Sequence, residues 1–493
     1  MFFYCSGSGP CARERERLFM ENICLYDKLL AYQKQKTSPF HMPGHMGQAL
    51  FAPHLPWQLD ITEIHGFDNL HAPQGILRDA QNRAAALWGS EHAYFITNGS
   101  TGGILAGIYA AINPGDAVLV AANCHKSVYH AIELLNLQPV FLNPPQVGHA
   151  GIAGSISPGT VADAIQAHPN IGLCVITSPT YEGIGSDVGA IAQVLHEKNI
   201  PLFVDEAHGA HWGLSKHFPQ SAITQGADLV THSLHKTLPS LTQTAVLHQS
   251  GGRVDPVHVQ HALSMFGSSS PSYPMLASID GCVNFLAQDG GQALDNWHVQ
   301  IEDFYQNAHK ISPFSLLTQG RDLTHIHSHD RGKLTIFTSE TSFTGKALME
   351  TLRRDYNIEL EMGGASYALA MTSLATRGED FFHLAQALEK IGRKTVALGT
   401  PAFFPTWPAA YPPVMPPQEA TRANSSPKAV RDALGHISAG YVWLFPPGVP
   451  LCLPGTKITK EIVDFLETCQ EYALPISHTR PVEAGFIQVV DKC

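Results

Sequence analysis

The sequence has no long run of like charges, no CxxC pair and no apolar stretch near the roughly 18 uninterrupted residues that cross a bilayer. With 31 Lys and Arg against 42 Asp and Glu, the formal net charge is -11 and no basic run is available to neutralise a phosphate backbone. Nucleic acid and membrane are therefore not expected as partners. The opening residues, MFFYCSGSGPCARERERLF, hold no apolar core of signal-peptide length, and the expected location is the cytoplasm. Nine scattered cysteines, an odd number, suggest neither a disulfide framework nor a zinc ribbon. Reduced, mostly buried thiols are expected instead. Histidine is plentiful at 27, but abundance identifies no ligand, and no metal site is expected.

What is present is enough chain for a large core: 493 residues, 44% hydrophobic and 15% charged, sufficient for two or three domains. Residues 1–38 read as a helical arm, with Leu18, Ile23, Tyr26, Leu29 and Leu30 near helical spacing. From Glu91 to about Leu247 short apolar runs (AYFIT, DAVLVAA, PVFL, LCVIT, PLFVDEA, LVTHS, TAVLH) alternate with helical segments. That alternation predicts βαβ units and a mostly parallel sheet, whose ligands sit at the carboxyl ends of the strands. The large domain is placed at residues 39–309. A smaller α/β region is expected over 310–398, with strands at GKLTIFT and YALAMTS and a helix over 345–356. A proline-rich connector at 399–426 then leads to a last α/β segment at 427–493.

The chemistry-bearing residues cluster at those strand ends. In THSLHKTLPSLTQTA, Lys236 follows a strand and is flanked by Ser233 and His235, which suits a pyridoxal 5'-phosphate (PLP) site. By itself a lysine is more often a solvated surface charge. In FVDEAHGAHWG, Asp205 ends an apolar strand and could pair with a protonated pyridine nitrogen, or simply cap a helix or form an ion pair. His208 could touch a cofactor ring or pack. The turn around Ser100, Thr101 and Gly102 opens a helix whose free N–H groups could cradle phosphate, although most glycine-rich turns merely turn. His125 could lie against a ring or cap a helix, and Thr180 with Tyr181 could edge a pocket or shape a turn.

Nine motifs in order resemble the Orn/Lys/Arg decarboxylase family of fold-type I PLP enzymes, which are aspartate-aminotransferase-like: PFHMPGHMG (39–47), DITEIHGFDNLHAPQGI (60–76), NGSTGG (98–103), CHKSVYHA (124–131), PTYEG (179–183), DEAHGAH (205–211), HSLHKTLPSLTQTA (232–245), SSSPSYPMLASID (268–280) and PPGVPLCLPG (446–455). The resemblance implies an α/β fold with a large domain and a smaller C-terminal one. It implies PLP as cofactor and release of CO2 from an α-amino acid, with arginine, lysine or ornithine as typical substrates and polyamine synthesis as the setting. Lys236 would be the Schiff-base lysine, Asp205 the pyridinium partner and His125 the ring-stacking residue. Ser100, Thr101, Gly102, Ser233 and His235 would hold phosphate, with His208 beside the ring. Thr180, Tyr181 and Thr456 would face substrate, and the loop at Ser269 and Ser270 would reach the cofactor of a second subunit. That implies a homodimer, or a pair of dimers, of a short form lacking the response-regulator-like domain of larger members.

One departure bears on the substrate. Where family members commonly carry acids, in SAE before the PPG motif and in PGE at its end, this sequence has Gly440 and Thr456, and Phe445 replaces the usual tyrosine. A buried substrate cation without a partner costs several kcal/mol. Glu361, Glu63 or Asp68 would have to compensate. Alternatives are a decarboxylase of a less basic amino acid, or an aminotransferase or lyase on the same fold.

Overall fold

The computed structural model describes residues 23–35, 38–39, 41–49, 51–148, 151–317, 324–398, 407–444 and 448–491. Most of the proposed arm at 1–38, the start of the connector at 399–406, and Phe445 lie outside the described residues. The chain divides into two compact units, one drawn from Met1–Ala111 with Pro201–Asp295, the other from Ile112–Ile200 with Asn296–Cys493.

The seven strands of the large, mostly parallel sheet are β1 (His92–Ile96), β2 (Ala117–Ala121), β3 (Gln138–Leu142), β4 (Ile171–Thr177), β5 (Leu202–Asp205), β6 (Leu229–Ser233) and β7 (Ala245–Gln249). Each coincides with one of the apolar runs read from sequence. Every residue of β5, β6 and β7 is buried, which is why these strands lack the regular apolar–polar alternation of a sheet with one face in water. In the first unit the order is β1-β7-β6-β5. Strands β5 and β6 are parallel, with Asp205 opposite Thr231, whereas β7 runs antiparallel to both β1 and β6. In the second unit β2 lies between β4 and β3, all parallel.

The helix Gly99–Ala111 packs unusually close to the sheet. A Cβ at residue 107 would lie 2.6 Å from Phe203 Cε1, and one at residue 103 would lie 2.8 Å from both Ile96 Cδ1 and Thr231 Oγ1. Glycine at these two positions lets the helix approach without displacing the sheet. Gly99, at φ +79°, makes the tight entry that only glycine adopts without strain.

The helices Leu25–Lys34, Ile76–Trp88 and Tyr273–Gln288 meet around a buried ion pair. Arg83 donates to Asp280 at 2.7 Å with both side chains fully buried, while the Leu25 N–H and the Asn284 side-chain amide also donate to that carboxylate. In the second unit, Lys333–Phe337 and Tyr367–Met371 pair antiparallel at the centre of a four-stranded sheet, and the helix Gly345–Tyr356 lies between them in the chain. The C-terminal part sets the helix Lys460–Glu471 in one core with the strands Val442–Leu444 and Val449–Cys452, through Phe465, Leu466, Val442 and Leu451. Within the proline-rich stretch, Pro417–Arg422 forms a short helix. Among the described residues six cysteines carry free thiols, five of them buried, and no helix is long and apolar enough to cross a membrane.

Removing one member of a buried ion pair strands the other charge. Asp280→Ala is expected to destabilise the protein by about 3–5 kcal/mol, read as a lower urea midpoint.

Candidate active site

The chemistry gathers in the first unit where β5 and β6 end side by side. Asp205 is the last residue of β5 and Ser233 the last of β6; the single-turn helix Leu234–Thr237 carrying His235 and Lys236 follows at once. Lys236 Nζ lies 2.9 Å from His208 Nε2. Asp205 is 4% exposed and accepts one backbone bond, from the Ala207 N–H at 3.1 Å. Burial pushes its carboxyl above the usual aspartate range, against the opposing pull of the Lys236 ammonium.

Side-chain alternation along β6 gives the strand two distinct faces. Thr231 and Ser233 share the face toward the helix Gly99–Ala111, as the proximity of Thr231 Oγ1 to Gly103 requires. Both hydroxyl oxygens are buried without a hydrogen-bond partner. Such atoms are costly unless a ligand group satisfies them. Ser100, half-buried, Thr101, exposed, and Gly102, buried, supply that helix's first turn, and a cleft lined by His71, Thr97, Asn98, Gly102, Phe266 and Ser268 opens beside it. His235 is half-buried and donates from Nδ1 to the Thr244 carbonyl at 3.1 Å; burial holds its pKa below the usual value.

The opposite face of β6 carries His232, a residue the sequence reading passed over. Its Nε2 donates to Glu206 Oε2 at 2.7 Å, and that carboxylate also accepts from Ser221 Oγ at 2.6 Å and the Ala222 N–H at 2.8 Å. The His232 ring packs against Trp88 and His248, and burial holds His248 well below the usual histidine pKa. The available signal was position: Glu206 directly follows Asp205, and His232 alternates with Thr231 and Ser233.

Ser269 and Ser270 are exposed in a loop tethered by His71 Nε2, which donates to the Ser268 carbonyl at 2.7 Å. In the second unit His125 caps the helix Lys126–Leu134: its Nδ1 accepts from the Ser127 N–H at 3.3 Å and lies 2.8 Å from Ser127 Oγ. Thr180, 5% exposed, donates to Glu182 Oε2 at 3.1 Å, and the Tyr181 hydroxyl donates to Glu361 Oε1. Thr456 is buried with its hydroxyl oxygen unpartnered. A Cβ at Gly440 would stand 2.6 Å from Thr479 Oγ1, so threonine occupies the space a side chain there would need.

Of the acids considered as compensating charges, Glu361 is thus engaged by Tyr181. Asp68 is also committed locally: burial opposes its ionisation, but the N–H groups of Gln74, Asn69, Gly75 and Leu77 hold its pKa below the usual value. Glu63 keeps Oε1 buried and without a hydrogen-bond partner. Among the described residues no group of histidine, cysteine or acidic side chains could hold a metal ion.

The architecture is the α/β arrangement of fold-type I enzymes. Residues 24–328 match the family model of the Orn/Lys/Arg decarboxylase major domain and residues 401–475 that of its C-terminal domain. The chain is 33% identical over 460 residues to the uncharacterized protein YaaO of Bacillus subtilis (strain 168), covering 90% of this chain and 94% of that protein. It is 30% identical over 491 residues to the arginine decarboxylase of Bacillus anthracis, covering 96% and 98%. The crystal structure of the Francisella novicida lysine decarboxylase LdcF superposes with a TM-score of 0.80 at 21% identity, over 96% of this chain and 82% of that one. The chain belongs to the Orn/Lys/Arg decarboxylase family and is an amino-acid decarboxylase of that family.

The raised Asp205 pKa fixes a sign. A carboxyl that holds its proton more tightly when folded costs stability once the pH exceeds its unfolded value, and the cost is complete above the folded value. In protein carrying no cation at this carboxylate, Asp205→Asn is expected to raise Tm at neutral pH, an advantage that shrinks as pH falls toward the ordinary aspartate range. Thermal unfolding of the two proteins across pH checks it.

Proposed function

We propose that the protein is a PLP-dependent decarboxylase of arginine, lysine or ornithine, with Lys236 carrying the cofactor. The observation that supports this most directly is the convergence at the ends of β5 and β6 of Lys236, the buried Asp205 carboxylate and the unpartnered Ser233 hydroxyl. These residues fit the group. The orphaned Ser233 Oγ and the first turn of the glycine-tight helix, with Ser100, Thr101 and Gly102, suit a phosphate, and His235 follows Ser233 by two residues. Asp205, poorly satisfied by one N–H, suits a protonated ring nitrogen. When bound, PLP supplies an electron sink for the pair left behind as CO2 departs.

The chain's own groups do the rest. Asp205 would keep positive charge at the ring nitrogen favourable, and His125 is the residue assigned to the ring face. Lys236 Nζ and His208 Nε2, at 2.9 Å, form a pair between which a proton can be held and returned to the substrate carbon. Thr180, Tyr181 and Thr456 are assigned to substrate. Ser269 and Ser270 would reach a second copy's site in a cytoplasmic homodimer, with the product amine used in polyamine synthesis. Glu63, with an unpartnered buried oxygen, is the acid assigned to the substrate's cationic end. A less basic substrate is the second reading, favoured by Gly440 and Thr456 standing where relatives commonly carry acids.

Purified protein is expected to show the visible absorbance of bound PLP and to release CO2 from arginine, lysine or ornithine. Lys236→Ala should abolish both, and Asp205→Ala should lower kcat about 100-fold, equivalent to ~2.7 kcal/mol. An unchanged spectrum in Lys236→Ala overturns the proposal, and keto acid without CO2 identifies an aminotransferase. Glu63→Gln should raise KM for a basic substrate about tenfold with kcat nearly unchanged; an unchanged KM removes Glu63 from that role.

A further inference from the structure

The polar network on the far face of β6 has no part in the chemistry above, yet it joins the two turns that carry the reactive groups. Three donors converge on the Glu206 carboxylate: His232 Nε2 and Ser221 Oγ on Oε2, and the Ala222 N–H on Oε1. Glu206 is 1% exposed, and His232 and Ser221 are fully buried. Glu206 follows Asp205 directly, and its backbone N–H donates to the Thr231 carbonyl at 3.1 Å. His232 precedes Ser233 and lies four residues before Lys236. The contact at 2.7 Å is thus a side-chain tie between the Asp205 turn and the Lys236 turn, added to the parallel pairing of Asp205 with Thr231.

We infer that Glu206 and His232 are positioning residues that set the register between Asp205 and Lys236. The inference rests on the PLP reading above for its consequence in catalysis, but not for the tie itself. Behind His232, Trp88 and His248 pack against the imidazole, and His248 Nδ1 lies 3.0 Å from Ser90 Oγ, so the ring is braced from behind. Held in place, Glu206 fixes the direction in which the next residue back projects its carboxylate. Displacements of about 1 Å at a reacting group cost about a hundredfold in rate.

Glu206→Leu fills much of the same space and removes both acceptor oxygens, leaving the Ala222 N–H and the Ser221 hydroxyl without the carboxylate and the tie to His232 broken. His232→Leu removes the tie from the other side, and His232→Gln keeps a donor there. The expected result, measured per mole of bound PLP, is a kcat ten- to a hundredfold lower in Glu206→Leu and His232→Leu. KM should change less than twofold and the visible band of the resting enzyme should shift. His232→Gln should recover most of the loss, and the double variant Glu206→Leu/His232→Leu should be no worse than the weaker single one. In cofactor-free protein, amide hydrogen exchange over residues 205–210 and 232–238 should rise in the two damaging variants and not in His232→Gln.

The wild type alone decides the PLP reading, through its absorbance and CO2 release. The variants decide the inference, and the exchange measurement decides it even where wild type binds no PLP. Wild-type kcat, spectrum and exchange in Glu206→Leu and His232→Leu would overturn it. So would a loss confined to folded yield, with kcat per bound cofactor unchanged, or failure of His232→Gln to recover exchange protection.

Discussion

A carboxylate placed where water cannot reach it governs this site. Asp205 ends a fully buried strand and receives a single backbone donor, so its ionised form is poorly satisfied and its proton is held too tightly. The nearby lysine moderates that cost without removing it. A cation delivered to the carboxylate converts the penalty into attraction, and this is the physical sense in which the site suits the charged ring proposed above. The other features serve the same end: glycines that bring a helix start against the sheet, and a β6 terminus that turns at once into the segment bearing Lys236.

Strand β6 separates two tasks by alternation. Thr231 and Ser233 look toward the glycine helix with unsatisfied hydroxyls, while His232 looks the other way and gives its Nε2 to the Glu206 carboxylate. The hydroxyls on one face are left without partners, as a binding surface requires; on the other, a carboxylate is met by three protein donors, as a support requires. Buried polar groups on a single strand therefore have opposite meanings, and the distinction lies in which of them already has a partner.

Much of the first unit is legible in the sequence because β5, β6 and β7 are buried throughout and open on apolar residues that stand out from the segments around them. Orientation is less legible. TAVLH reads like its neighbours, yet β7 runs antiparallel to β1 and β6, since an apolar run carries no sign of direction. Lys236, Asp205 and Ser233 could be placed at strand ends from spacing alone. Glu206 and His232 could not be recognised, because their pairing depends on the parallel register of β5 and β6, and Arg83 conceals its burial behind a residue type that is mostly exposed. His125 shows how two readings can coexist: its ring nitrogen caps a helix, a local role that alone explains histidine there.

The region around Gly440 shows why a missing charge need not leave a hole. Thr479 Oγ1 stands where a side chain at 440 would begin, and it accepts the Tyr441 N–H at 3.0 Å, while Ser438 Oγ donates to the Gly440 carbonyl at 2.7 Å. The backbone is tied on both sides of the glycine by hydroxyls. An acid introduced at 440 alone would have to displace a threonine engaged in holding the next residue, so positions 440 and 479 act as one unit. Glycine at 440 and threonine at 479 are in this sense a single structural solution, and the burden of meeting a positive substrate then falls on carboxylates whose oxygens remain uncommitted.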